Sequence, residues 1–297
     1  MPNAIELAKQ FVPILDEVYK NASLTAKLDG AAELVRAGAN ANELIIPMLD
    51  MQGLGDYSRN SGYVDGDVTL TNETVKCNFD RGRMFNVDYM DNLETAGIAF
   101  GRLSGEFIRT KVVPELDAFR FASYAGIKGI SKVAAGAALA DGAAVIVALR
   151  AATNQMDEDE VPQEDRHLFI TPTLHGMVQD LDTTKSREVL SRFASVTLVP
   201  QTRFYTAITQ YDGSSDGEKA GGFVKDAVNG LDINFMAIHK PAVIQFSKHV
   251  APKIITPEQN QTADGYKFGY RHVAIADAYK NKVAGIYLHH KPAAAKA

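Results

Sequence analysis

The stretch Asn78-Phe79-Asp80-Arg81-Gly82-Arg83-Met84-Phe85-Asn86-Val87-Asp88-Tyr89-Met90-Asp91 sits where the chain changes character, and its two flanks decide the architecture. Upstream, residues 42–89 carry the marks of extended chain. Leu44, Ile45 and Ile46 open the segment, and Gly53, Gly55, Gly62 and Gly66 interrupt its middle. Val75, Cys77 and Phe79 then alternate with Lys76, Asn78 and Asp80. Successive side chains of a strand point to opposite faces, so this pattern around a glycine-rich turn predicts a long hairpin. Its apolar content is small, and a hairpin of that kind is marginal in water by itself. It must either fold down on its own domain or lie on a partner.

Downstream, the same stretch opens a helix. Asp91 stands in capping position with Glu94 three residues on, and Leu93, Gly97, Phe100, Ser104 and Phe107 share one stripe. Arg102, Glu106 and Arg109 fall on another face, where i, i+3 and i, i+4 pairs each add roughly 0.2–0.5 kcal/mol. The periodicity continues to Tyr124, with a bend expected at Pro114, which has no amide proton to give the helix. Gly97, Gly101 and Gly105 leave a groove along the helix where another backbone could approach. They lie inside the helix and not at its N-terminus, so they are packing residues and not a phosphate cradle.

Farther out, Ile5, Leu7, Ala8, Phe11, Val12, Leu15 and Val18 predict a short amphipathic helix interrupted by Pro13. With the small residues that follow to Asn42, this segment is too poor in apolar surface to fold alone and reads as an arm. Ala137 to Met156 is a second helical stretch, with Val145, Leu149, Ala152 and Met156 on its apolar face. The acidic run Asp157 to Glu160 and Pro162 close it. Short elements then alternate: a strand over 167–171, a helix opened by Thr171 and Pro172 and running to Leu181, a helix over 186–193, and a strand over 196–199. Residues 231–239 alternate as a strand, and 243–246 follow as another. Between them Asp212, Gly213, Ser214, Ser215, Asp216 and Gly217 make an exposed loop. Residues 253–287 read as two long strands with Tyr266, Phe268 and Tyr270 on one face, followed by a turn at Asn281 and Lys282 and a strand at Ile286 and Leu288. The last residues, 291–297, read as a frayed tail.

The 297 residues suffice for two domains at roughly 100–200 residues each, and 46% hydrophobic with 23% charged residues places the chain among folded globular proteins. A formal net charge of -5 offers no global basic field for neutralising phosphates, which disfavours general nucleic-acid binding. The single cysteine, Cys77, rules out an intrachain disulfide and a multi-cysteine zinc site. No apolar run is long enough to span a bilayer, and residues 1–19 do not have the layout of a signal peptide.

Chemistry-bearing patterns are sparse. Of the seven histidines, His167 and His175 are eight apart, His239 and His249 ten apart, and His289 and His290 adjacent; none has a third ligand at usable spacing. They read as surface or satisfied core groups. Gly213-Ser214-Ser215-Asp216-Gly217 matches Gly-x-Ser-x-Gly, but a nucleophile elbow needs an apolar strand before it and a helix after it, and polar residues flank it here. Asp157, Glu158, Asp159 and Glu160 could attract a hard cation, yet successive carboxylates splay apart and read as a solvated loop. No catalytic residue, cofactor or metal is assigned.

The run 78–91 and the run Val112-Val113-Pro114-Glu115-Leu116-Asp117-Ala118-Phe119-Arg120 closely resemble a family of major capsid proteins from tailed phages and prophages. The opening Ile5-Glu6-Leu7-Ala8-Lys9-Gln10-Phe11-Val12-Pro13 with Asp16-Glu17-Val18-Tyr19 looks like the start of those chains. Asp264-Gly265-Tyr266-Lys267-Phe268-Gly269-Tyr270-Arg271 and Asn281-Lys282-Val283-Ala284-Gly285-Ile286-Tyr287 look like their final strands. Each motif is only moderately specific, and their order and end-to-end coverage carry the resemblance. It implies an α+β fold of the Hong Kong 97 type: an N-terminal arm (1–41), an extended loop (42–89), a spine helix of a peripheral domain (90–126), an axial domain (127–247), and returning peripheral strands with a C-terminal tail (248–297).

The resemblance further implies a non-enzymatic virion protein, assembled in the host bacterial cytoplasm from hexamers and pentamers of itself. Its other partners would be a portal and DNA held without sequence-specific binding. Many relatives begin with a long cleaved scaffolding region, whereas here the arm starts near Met1, so a separate scaffolding protein is implied. Tyr57, Arg59 and Tyr63 near the hairpin tip are the expected inter-subunit contacts, their alternative being simple exposure. Lys76 lies on the hairpin, but no crosslinking pair is identifiable. Two other readings stay open: an encapsulin-like nanocompartment shell, which has the same fold, and a hydrolase using Ser215, His167 or His239.

Overall fold

The computed structural model describes residues 23–30, 36–37, 43–60, 62–90, 98–181 and 183–293. The amphipathic helix over 5–19, the cap at Asp91 and the tail beyond Lys291–Ala293 lie wholly or partly outside them. Thirteen strands are described: β1 (Arg36–Ala37), β2 (Glu43–Met51), β3 (Val68–Lys76), β4 (Phe79–Asp88), β5 (Ser131–Lys132), β6 (Arg166–Ile170), β7 (Ser195–Leu198), β8 (Ile208–Gln210), β9 (Phe223–Lys225), β10 (Ile233–His239), β11 (Val243–Ile255), β12 (Gly265–Ala278) and β13 (Ile286–His290). The α-helices are α1 (Ile98–Phe107), α2 (Val113–Gly126), α3 (Gly142–Glu158), α4 (Pro172–Asp180) and α5 (Thr184–Ser191).

The helix expected from 91 to 124 is described from Ile98 to Gly126, and its irregularity falls one turn before the proline. Residues Ile108–Val112 form a π-helical turn between α1 and α2, closed by the Val113 amide donating to the Ile108 carbonyl. Pro114 cannot donate, and its ring crowds the carbonyl four residues back, so a wider turn there accommodates it. Glu106 and Arg109 pair at 2.8 Å, as their spacing allows. Among the described residues, no group from outside its own helix turn comes within 4 Å of where a Cβ on Gly105 would stand.

The long helix joins two cores. Ile108, Val113 and Leu116 pack with Phe79, Phe268, Tyr270 and Ala274 under a three-stranded antiparallel sheet of order β11-β12-β4. Phe121, Tyr124 and Ala125, farther along α2, cover one face of a five-stranded mixed sheet of order β5-β13-β10-β6-β7. Helices α3, α4 and α5 cover its other face through Val145, Leu149, Met156, Val178 and Val189. Thus β10 is buried along its whole length, Phe235 and Ala237 facing one helical layer while Met236 and Ile238 face the other. Alternation in that segment separates two cores, not core from water.

Three expectations are corrected. The extended segment does not form one continuous hairpin: β3 ends at Lys76, and β4 leaves it to pair with β12 from Phe79↔Ala274 to Asp88↔Gly265. The strand at Ile286 and Leu288 does not return to that sheet; β13 inserts between β5 and β10, with Tyr287 against Ala237 and Ser131. The acidic run does not simply end a helix in solvent, because α3 continues through Glu158 and Asp157 meets the guanidinium of Arg166 at 2.8 Å. Arg166 is only 1% exposed, so the carboxylate compensates a buried charge.

Candidate assembly surfaces

Strands β2 and β3 pair from Glu43↔Lys76 to Met51↔Val68, with β1 touching only the base through Leu44 and Ile45. Beyond Met51 the chain makes a wide tip held by local bonds, Gln52 N–H to the Asp67 carbonyl at 3.4 Å and a Ser58–Gly62 bridge at 2.8 and 3.2 Å. The bridge brings two of the expected contact residues together: the Tyr57 and Tyr63 rings meet edge-on at 5.0 Å. Arg59 lies in the turn between them and is exposed. Tyr63 is 88% exposed, Leu54 fully so, and Met51, Val64 and Val68 each more than half. Burying one such side chain contributes about 1.5–3 kcal/mol, which the chain by itself does not collect.

Residues 23–30 are tied down by a polar knot on α2. Asp117, fully buried, accepts from the Ser23 hydroxyl (3.0 Å), the Leu24 and Thr25 amides (3.1 and 3.3 Å) and the Thr25 hydroxyl (2.7 Å). Arg203 reaches the same carboxylate at 3.3 Å. Arg120, equally buried, donates to the Thr25 hydroxyl at 2.8 Å and approaches Asp29 at 3.4 Å. Gln245 of β11 donates to the Thr25 carbonyl and Asp29, each at 2.7 Å, and accepts from the Tyr124 hydroxyl at 2.8 Å. The knot thus binds residues 23–30 to α2 and to β11 of the three-stranded sheet. Nothing in the helical periodicity singled out Asp117, although an aspartate four residues before Phe121 on a buried face was a usable sign.

Two residues earlier on α2, and therefore about 200° around it at 3.6 residues per turn, Glu115 faces the opposite way. It pairs with Arg81 of β4 and accepts from Gln210 of β8 at 3.2 Å. Burial pushes its carboxyl pKa up, against the attraction of Arg81. Arg81 also donates to the Tyr211 carbonyl at 2.6 Å, and Arg83 to those of Lys219 and Ala220 at 2.8 and 3.2 Å. Loop 211–222 is thereby strapped over β4. Beneath it a cleft of about 1010 Å³ runs between β4 and the helix, lined by Phe85, Leu103, Phe107, Pro114 and Tyr270 among others.

Of the residues that could carry chemistry, His167 of β6 and His239 of β10 lie on adjacent paired strands, and Ser215 stands on a separate loop. Ser215 lies on the exposed loop between β8 and β9 and donates its hydroxyl to Asp212, whose carboxyl pKa is lowered chiefly by that bond. His167 contacts the Ser195 hydroxyl at 2.7 Å, His272 those of Ser247 and Tyr270 at 3.0 and 3.2 Å, and His289 the Asn234 amide at 3.0 Å while stacking on Phe235. Burial pushes the pKa of Cys77 up, so its thiol is a poorer nucleophile than a free one. Among the described residues no three His, Cys, Asp or Glu side chains are grouped to hold a metal, and no helix is long and apolar enough to cross a membrane.

The chain matches no protein-family model, and no curated protein matches it. Solved structures do. The capsid structure of Staphylococcus phage Andhra superposes with a TM-score of 0.55 at 9% identity, over 89% of this chain and 83% of that one. That of the cyanophage P-SCSP1u gives 0.54 at 12% identity, over 87% and 86%. A virus-like particle from Pyrococcus furiosus gives 0.54 at 9% identity, over 92% and 98%. Sequences this far apart share architecture and little else, and the architecture is common to nearly the whole of each chain: the protein has the α+β fold of capsid shell subunits, the Hong Kong 97 type.

Proposed function

We propose that this chain is the major capsid protein of a tailed bacteriophage or prophage, a structural subunit that self-assembles as hexamers and pentamers into an icosahedral shell around DNA. The carrying observation is the β2–β3 hairpin on a capsid-type fold: a slender projection whose tip offers Leu54, Tyr57, Tyr63 and Val64 to water. Large exposed apolar side chains gathered on one projection mark a surface meant to be covered, and in a closed assembly the cover is another copy. Tyr57, Arg59 and Tyr63 are assigned to that contact. The overall charge of -5 suits an inner wall that holds DNA without gripping it. A separate scaffolding protein and a portal are the further partners of this reading, with the virion as its location and the host cytoplasm as the place of assembly.

Electron microscopy of the purified protein, alone and co-expressed with the neighbouring head genes, tests the proposal. Closed icosahedral particles are expected; a protein that stays monomeric under every such condition overturns it. A second reading, a compartment shell enclosing protein cargo, is compatible with the same fold, which the Pyrococcus furiosus virus-like particle shares over 92% of this chain. Particle contents separate the two: nuclease-protected DNA with a portal on one side, a co-purifying cargo protein without either on the other.

A further inference from the structure

The helix α2 is held from opposite sides by two devices of different strength. Asp117 anchors one side, itself fully buried and bonded to the fully buried Thr25. The other side is held at the surface. Loop 211–222 belongs to a two-stranded β8–β9 sheet separate from the five-stranded one, and the Thr206 amide with the Leu231 carbonyl (2.9 Å) closes its base. The loop is stiffened within itself, Asp212 accepting the Ser214 and Ser215 amides at 2.7 and 2.8 Å while its own amide donates to Glu218 at 3.0 Å. It meets β4 through two guanidinium groups, that of half-buried Arg81 on the Tyr211 carbonyl at the loop's start and the exposed one of Arg83, which grips the Lys219 and Ala220 carbonyls farther along. Gly221, at φ +65, makes room for it: a Cβ there would stand 2.7 Å from Arg83 Nη1.

We propose that loop 211–222 is a releasable clasp, pinned by Arg83, that fixes the angle between the five-stranded and the three-stranded sheets about the Asp117 anchor. The inference rests on the shell reading for its consequence, since one subunit type must fit both five- and six-membered rings and the angle between its two lobes then sets local curvature. The clasp has what a two-position element needs. Its bonds run to carbonyls at an exposed site, where their loss is compensated by water, and the cleft beneath leaves space for the loop to shift. Arg83 is a positioning residue, acting on the loop and not on any ligand.

Hydrogen exchange on the soluble subunit and particle sizing, both on Arg83→Ala and Arg83→Lys beside the parent chain, test this. Arg83→Ala is expected to keep the parent's melting temperature, to raise amide exchange in 211–222 by roughly tenfold or more, the effect of losing both exposed Arg83 bonds, and to broaden or shift the particle diameters. Arg83→Lys, which keeps the charge and can reach one carbonyl, should fall between. Unchanged exchange in 211–222 overturns the clasp. Faster exchange with an unchanged diameter distribution overturns its control of curvature, and a parent chain that builds no particles overturns the shell reading while exchange still judges the clasp.

Discussion

Asp117 shows how one buried carboxylate can organise a joint. Five donors converge on it, and removing it strands them, two of them on the fully buried Thr25, which costs more than the bonds themselves are worth. Asp117→Ala is expected to destabilise the subunit by about 3–5 kcal/mol in urea unfolding, with Asp117→Asn losing less because one carbonyl acceptor survives. His272 gives a second residue-level expectation. Burial holds its pKa down at about 3, and His289 is similarly held at about 4. Both are neutral in the fold but take a proton when unfolded below the ordinary value of 6.5, so stability is full above that pH and falls as the pH drops toward the folded values. Each costs up to about 1.4 kcal/mol per pH unit across that window. Chemical unfolding at pH 7 and pH 5 should therefore show a steep loss, and His272→Asn should flatten it; an equal slope in parent and variant would remove His272 as the cause.

Among the elements, the hairpin and the sheets stand in contrast. Strand β12 is paired on both sides, to β11 and β4, over most of its length, whereas β2 and β3 have each other and a two-residue β1. Strands paired with few neighbours open readily. Amides of residues 43–51 and 68–76 should therefore exchange within the fast set in free subunits and become protected in particles, as followed by mass spectrometry on both forms. Protection that is the same in the two would mean that assembly leaves the hairpin uncovered. The long helix is a different case: its π-turn absorbs Pro114 within a continuous element, so it can serve both cores without breaking.

For the whole molecule, association should depend on side chains that contribute nothing to the subunit's own stability. Leu54→Asp places a charge at a fully exposed position, so the melting temperature of the subunit should stay within the small range of surface substitutions, about 0.5 kcal/mol in stability. Shell formation, measured by sedimentation, should instead be abolished or require much higher protein concentration, because a charge would have to be desolvated at the contact. Tyr57→Ala with Tyr63→Ala should act in the same direction and more weakly, removing apolar area without adding a charge. Particles forming at the parent's threshold in all three would take the tip out of the interface.

What the sequence determined alone was local: the glycine-broken extended segment, the long helix, and the helix start at Thr171 and Pro172, each legible because periodicity and helix-start signals are properties of neighbouring residues. The order of motifs along the chain carried the architecture as a resemblance, which the shared fold of the capsid structures bears out. Tertiary structure decided the pairings between distant segments. It put β13 beside β10 and not β12, separated β4 from the hairpin, and brought Asp117, Arg120, Arg203 and Gln245 into one knot and Arg81, Arg83 and Glu115 into another. A strand's own pattern says which faces are apolar but not which strand lies alongside, and a charged residue's partner across a hundred positions leaves no local trace. Those choices are made by the packing of whole layers, where a buried charge is tolerated only if the fold delivers its counter-charge.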